Sequence, residues 1–280
     1  MPRISRRLLA AALTSAVVAA VVLAGSGVAG ASTGTAEISP EQAGYTATGA
    51  QFRHISASVY LRNPTQYAGE VATFGHSVQL WSSGLVITVG LTASTAGSAY
   101  TPYATVYDRS THQVIAANPN AQYCEPSGDC SFDPRTFSSG SGWTLTINYL
   151  PEEGEVAMFE FADHHLYAFT SSYALTAQSF SQARVGTEFG SSPWDASYPH
   201  MTLASSVRIA TYHHVDLTSN SGHEATLWSW WVHHKLLANT GQQSGSDWVA
   251  VPADLSNGGA SFQTWFVPQS AQGPAQPVLP

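Results

Sequence analysis

Glu188 is the side chain in this sequence best placed for acid–base chemistry. Across residues 181–190, Ala183, Val185, Thr187 and Phe189 alternate with Gln182, Arg184, Gly186 and Glu188. Period two is the signature of a strand with one face buried, so Glu188 shares a face with Arg184 and Gln182. Gly186 stands between them and leaves room above the sheet. Burial in such a furrow would raise the pKa of the carboxyl, and Arg184 would lower it. A poised carboxylate there can take a proton from water or return one. The plainer alternative is a same-face ion pair between Arg184 and Glu188.

Other side chains capable of chemistry point less sharply. There are 11 histidines, with neighbours at His164–His165, His213–His214 and His233–His234. Adjacent strand residues face opposite sides, so adjacency alone does not make a chelate, and no metal is expected. His223–Glu224 begins a zincin-like pattern, but Leu227 stands where the second histidine must be. No Asp-Thr-Gly or Asp-Ser-Gly string supports a paired-aspartate protease. Trp228, Trp230, Trp231, Trp248 and Trp265 cluster late in the chain. Trp228 and Trp230 are candidates to stack on a sugar ring or line a peptide groove, with core packing as the alternative. Cys124 and Cys130 enclose five residues and are expected to close a small disulfide loop.

These groups must be held by strands. Ile55, Ala57, Val59 and Leu61 alternate with polar residues over 54–61, and Trp143, Leu145, Ile147 and Tyr149 do so over 143–150. Residues 86–93, 104–107, 114–117, 155–162, 166–173, 206–217 and 261–267 read the same way. Turn signals stand at 108–111, 151–154, 220–222 and 257–259. Residues 224–237 also read as a strand, but they are apolar on both strand faces, which leaves a buried helix open there. Many strands without amphipathic helices predict an all-β fold, an antiparallel β-sandwich of the lectin-like, concanavalin-like jelly-roll type. The expected organisation is a signal peptide over 1–31, a flexible lead-in over 32–44, one sandwich domain over 45–267 and a disordered Pro-rich tail over 268–280.

Three stretches resemble the secreted glutamic peptidases of the eqolisin group. FRHISASVYLRNP (52–64) is similar to an early strand of that family. VQLWSSGLVITVGL (78–91) is similar to the paired strands leading to its catalytic Gln, and ARVGTE (183–188) to the strand ending in its catalytic Glu. The family pairs a Glu, general base on a water, with a Gln that positions the water and stabilises the oxyanion. The resemblance assigns the Glu to Glu188. It places Thr88 where the Gln should be, and a threonine offers no amide N–H at that reach. Loss of one oxyanion donor costs about 3 kcal/mol, or a hundredfold in rate. Gln79 and Gln182 are the possible substitutes.

Charge and targeting narrow the classes further. Ten Lys and Arg face 18 Asp and Glu, a formal net charge of −8, and charged residues make up only 10%. That excludes a basic nucleic-acid surface. Arg3, Arg6 and Arg7 precede an apolar run and the small-residue site Ala29–Gly30–Ala31, the pattern of a cleaved export signal. Removal of those three arginines leaves seven cations, with Lys235 the only lysine, so acid would not drive strong positive self-repulsion. The expectation is a secreted, extracellular protein with no cofactor and no membrane attachment after cleavage. Its expected partner is an extracellular polypeptide or glycan, gripped by Arg184, Trp228 and Trp230, with the catalytic pair degenerate. An active acid endopeptidase using Glu188 with a substitute amide is the alternative, and a non-enzymatic scaffold the third.

Overall fold

The structure is a computed structural model. It describes residues 37–38, 42–61, 73–94, 99–117, 122–124, 130–131, 137–138, 142–150, 155–162, 165–171, 179–189, 207–238, 248–253 and 255–268. These all fall in one compact unit, Gly34–Pro280. The expected signal segment and the tail beyond Pro268 lie outside the described residues.

Alternation along each chain segment produces two sheets. The first contains, in spatial order, β1 (Glu37–Ile38), β17 (His233–Ala238), β2 (Gln42–Thr48), β14 (Gln182–Phe189), β4 (Thr73–Trp81), β5 (Leu85–Ser94), β6 (Ala99–Asp108) and β10 (Phe137–Ser138), with β7 (Gln113–Ala117) also on β6. The second runs β18 (Trp248–Pro252), β19 (Phe262–Pro268), β15 (Val207–Ser219), β3 (Phe52–Leu61), β11 (Gly142–Leu150), β12 (Glu155–Ala162), β13 (His165–Ser171), β8 (Gln122–Cys124) and β9 (Cys130–Ser131), with β16 (Glu224–Ala225) on β15. Among the described residues every pairing is antiparallel except β1 with β17. The only described helical element is a three-residue 3-10 turn, Asn257–Gly259. The fold is therefore the all-β, antiparallel sandwich that the alternation predicts.

The core lies between the sheets. Ala43, Tyr45, Ala47, Val78, Leu80, Ile87, Val89, Ala183 and Val185 from the first meet Ile55, Val59, Trp143, Leu145, Ile147, Tyr212 and Leu217 from the second. Each large side chain buried this way contributes about 1.5–3 kcal/mol. Tyr212 stacks on Phe262, with centroids 4.6 Å apart.

Short polar turns connect the strands. Between β4 and β5, Ser82 Oγ accepts the Leu85 backbone N–H at 2.8 Å. After β6, Asp108 Oδ1 accepts Ser110 N–H at 2.7 Å and Thr111 N–H at 3.2 Å, the local competition for backbone donors that makes aspartate a turn residue. Gly258 and Gly259 have φ of 67° and 85°, a region open chiefly to glycine.

Two boundaries differ from the sequence reading. The sandwich begins before residue 45, because β2 opens at Gln42 and its first residues are buried. Residues 224–237 form neither a helix nor one strand. They are the two-residue β16, a turn over 226–231 and then β17. In that turn Ser229 Oγ accepts Thr226 N–H at 3.0 Å, and the chain crosses from one sheet to the other. The sequence is apolar on both faces because Leu227 and Val232 dive into the core at this crossover.

Candidate active site

The face of the first sheet turned away from the core carries the candidate site. Core residues alternate along each strand with Gln182, Arg184, Gly186 and Glu188 on β14, Ser77, Gln79 and Trp81 on β4, Thr88 and Gly90 on β5, Tyr103 and Thr105 on β6, and Gln42, Gly44 and Thr46 on β2. Strand register sets these in rows. One row reads Gly44, Gly186, Ser77, Gly90, Tyr103, and the next Thr46, Arg184, Gln79, Thr88, Thr105. Although it points outward, this face is largely desolvated: Gln42, Thr46, Ser77, Gln79, Thr88 and Glu188 are all buried.

Glu188 is 5% exposed and receives three donors. Ser77 Oγ and Gln79 Nε2 both donate to its Oε1. The Tyr103 hydroxyl donates to Oε2 at 2.7 Å. Tyr103 reaches across β5 because Gly90 lies beneath it: a Cβ on Gly90 would sit 2.9 Å from the phenol oxygen. Gly44 and Gly186 oppose each other directly, and a Cβ on either would strike the partner backbone. The glycine row is thus a requirement of close strand approach, which also keeps the space beside the carboxylate clear of side chains.

The Gln79 amide has a defined orientation. Its Oε1 accepts the Trp81 indole N–H at 2.7 Å. An indole N–H can only donate, so the amide oxygen must face Trp81 and the NH2 must face Glu188. Trp81 is held in turn by two guanidiniums, Arg184 at 4.0 Å and Arg109 at 5.4 Å from its ring centroid. Arg109 is anchored by its Nη1 on the Ser82 carbonyl at 2.9 Å.

Burial raises the pKa of Glu188 above the ordinary carboxylate range. Hydrogen bonds from Ser77, Tyr103 and Gln79, and the charge of Arg184, work against it without reversing the direction. A carboxylate with raised pKa and donors on both oxygens can exchange a proton with a bound water or with a substrate.

Of the residues singled out from sequence, the structure brings Glu188 and Gln79 together. Thr88 lies directly opposite Gln79 but one strand farther from β14, and Gln79 is the amide touching the carboxylate. Gln182 is six residues along β14 from Glu188, about 20 Å at strand rise. It accepts Arg184 Nη2 at 3.3 Å and borders a shallow depression of about 500 Å³ with Thr48, Gly49, Ala50, Gln51 and Ser181. Arg184 shares the face. Trp228 and Trp230 do not: both sit in the turn between β16 and β17, and Trp230 is 91% exposed. Among the described residues, the tryptophan on the site's face is Trp81. Ser77, Tyr103 and Trp81 escaped the sequence reading, although Ser77, Gln79 and Trp81 already shared a face by alternation. Backbone register places Cys124 opposite Cys130 across β8 and β9. Among the described residues no three His, Cys, Asp or Glu side chains are grouped to hold a metal ion.

No family model matches the sequence, and no curated protein matches it. The structure is similar to solved structures of scytalido-glutamic peptidase. One, with a transition state analog inhibitor, gives a TM-score of 0.53 at 12% identity, covering 82% of this chain and 98% of that one. Another, with a peptide based transition state analog, gives 0.52 at 13% identity over the same shares. At such identities the likeness is one of fold.

Proposed function

We propose that this protein is a secreted, glutamic-type endopeptidase working in mild acid, with Glu188 as general base and Gln79 as the amide partner. The observation that carries this is the contact between the Gln79 amide nitrogen and the Glu188 carboxylate, with Trp81 fixing which end of the amide faces it. A carboxylate has about four acceptor positions. Ser77, Gln79 and Tyr103 use three, which leaves one for a water.

In this reading Glu188 takes a proton from that water as the water oxygen bonds to the scissile carbonyl carbon. The second N–H of the Gln79 amide donates to the oxyanion, where such a donor is worth about a hundredfold or more in rate. The proton on Glu188 then passes to the departing amine as the C–N bond breaks, and the carboxylate is restored. Ser77 and Gln79 fill Oε1 and Tyr103 takes one position on Oε2, so the position left for the water is on Oε2. The arrangement needs no metal. Export through the 1–31 signal and a Cys124–Cys130 disulfide belong to the same reading, as does a polypeptide substrate outside the cell.

The test is digestion of denatured casein by the purified mature protein between pH 3 and 7, with pepstatin present. Glu188→Gln and Gln79→Leu should each lower kcat/KM by a hundredfold or more with the fold intact by circular dichroism. Undiminished cleavage in either variant refutes the assignment.

The crowding of Glu188 favours a second reading. Three protein donors and 5% exposure suit a carboxylate kept as a structural anchor in a groove that binds an extracellular peptide or glycan without cutting it. Absence of cleavage at every pH, with binding retained, would select it.

A further inference from the structure

We infer that the face carrying Glu188 holds an acidic side chain of its substrate, gripped by Lys235, Thr46 and Arg184 two or three residues from the scissile bond. This deepens the peptidase reading and rests on it for the position of that bond.

Three observations converge. First, one register row crosses the sheet as Lys235, Thr46, Arg184 and Gln79, on β17, β2, β14 and β4. All four therefore project from the same face, and the two cations flank Thr46. Second, charge is concentrated here against the trend of the molecule. The chain is formally −8 with only ten Lys and Arg. Of the five cations among the described residues, Lys235 and Arg184 lie in this row, and Arg109 lies against Trp81 in the row beside it. Arg53 and Arg208 stand on strands of the second sheet. Third, Thr46 is 3% exposed and its Oγ1 has no hydrogen-bond partner. A buried hydroxyl left unsatisfied is uncommon in a folded protein. Between two cations it supplies the neutral donor that a carboxylate oxygen would take.

Scale fixes the subsite. Neighbouring strands are about 4.8 Å apart, so the space between Thr46 and Arg184 lies roughly 5–10 Å from Gln79. An extended peptide advances about 3.3 Å per residue, which gives two or three residues. Trp81 braces the Arg184 guanidinium at 4.0 Å and limits the freedom lost when it engages a carboxylate.

The test compares peptide pairs that differ only by Glu or Gln at the second and third positions on either side of a cleaved bond. The wild type should cleave the Glu member about five- to tenfold faster in kcat/KM at pH 6. The ratio should fall toward one at pH 3, where the substrate carboxyl is protonated. Lys235→Gln and Thr46→Val should each reduce the pH 6 ratio at least threefold while the rate on the Gln peptide changes little. Thr46→Val should not lower the melting temperature, since the lost hydroxyl makes no hydrogen bond. A purely structural Thr46 would leave the ratio untouched. The same peptides are also titrated for binding, to Glu188→Gln if the wild type cleaves and to the wild type if it does not. Tighter binding of the Glu member, abolished by the two substitutions, upholds the inference even if catalysis is absent. Equal handling of Glu and Gln peptides in both arms, or a ratio unmoved by Lys235→Gln and Thr46→Val, overturns it.

Discussion

Acidification should cost the folded protein a definite amount through His76. This residue lies on the core face of β4, 0% exposed. Its Nδ1 is 2.9 Å from the Tyr212 hydroxyl and 3.4 Å from Thr187 Oγ1, and Thr187 Oγ1 continues to Thr264 Oγ1 at 2.8 Å. Tyr212 and Thr187 are uncharged hydroxyls, and burial is what disfavours a charge on the ring. Desolvation lowers its pKa from 6.5 to about 3. The unfolded chain protonates near 6.5 and the folded one does not, so the contribution to stability is full above pH 6.5 and is lost as pH falls toward 3. At about 1.4 kcal/mol per pH unit, the loss approaches 5 kcal/mol by pH 3. That is a large share of the roughly 5–15 kcal/mol that holds a typical domain together. Glu188 has the opposite sign. Its raised pKa favours the fold in acid, and that contribution fades as pH rises through the folded value. The two are separated by urea denaturation of wild type and His76→Gln at pH 7, 5, 4 and 3. Gln keeps a partner for Tyr212 but does not titrate. The stability difference between the proteins should shift by several kcal/mol toward the variant between pH 6.5 and 3. A difference that stays flat over that range refutes the reasoning. Scarcity of cations alone would suggest easy acid tolerance, and a buried neutral histidine sets a limit on it.

Two further outcomes concern the carboxylate. Tyr103→Phe removes a hydrogen bond that stabilises ionised Glu188, so the acid limb of the kcat/KM profile should move to higher pH while the alkaline limb stays, as a pH–rate series would show. Gly90→Ala places a Cβ 2.6 Å from the His76 carbonyl oxygen and 2.9 Å from the Tyr103 hydroxyl. It should destabilise the protein by about 1–3 kcal/mol in chemical denaturation and shift the acid limb in the same direction as Tyr103→Phe.

The architecture was legible because burial on one side of a strand imposes a period of two. That period marked most of the strands and showed that Glu188, Arg184 and Gln182 share a face. It also puts Ser77, Gln79 and Trp81 on a common face, although alternation alone does not mark Ser77 or Trp81 as partners of the carboxylate. Residues 224–237 misled because a chain that crosses between two sheets is apolar without being periodic. Local turn chemistry was readable at 108–111, 220–222 and 257–259, where the residues satisfy or free the backbone within a few positions.

What sequence by itself determined, then, is the all-β class, the orientation of side chains within each strand and the presence of a carboxylate able to do chemistry. What only the tertiary structure decided is which amide meets it. Gln79 and Thr88 belong to one hairpin, and alternation cannot rank them. The insertion of β14 beside β4, more than a hundred residues later, brings Gln79 to Glu188 and leaves Thr88 a strand away. Period two is a local consequence of burial, whereas the order of strands in a sheet depends on contacts between distant parts of the chain, which no single segment encodes.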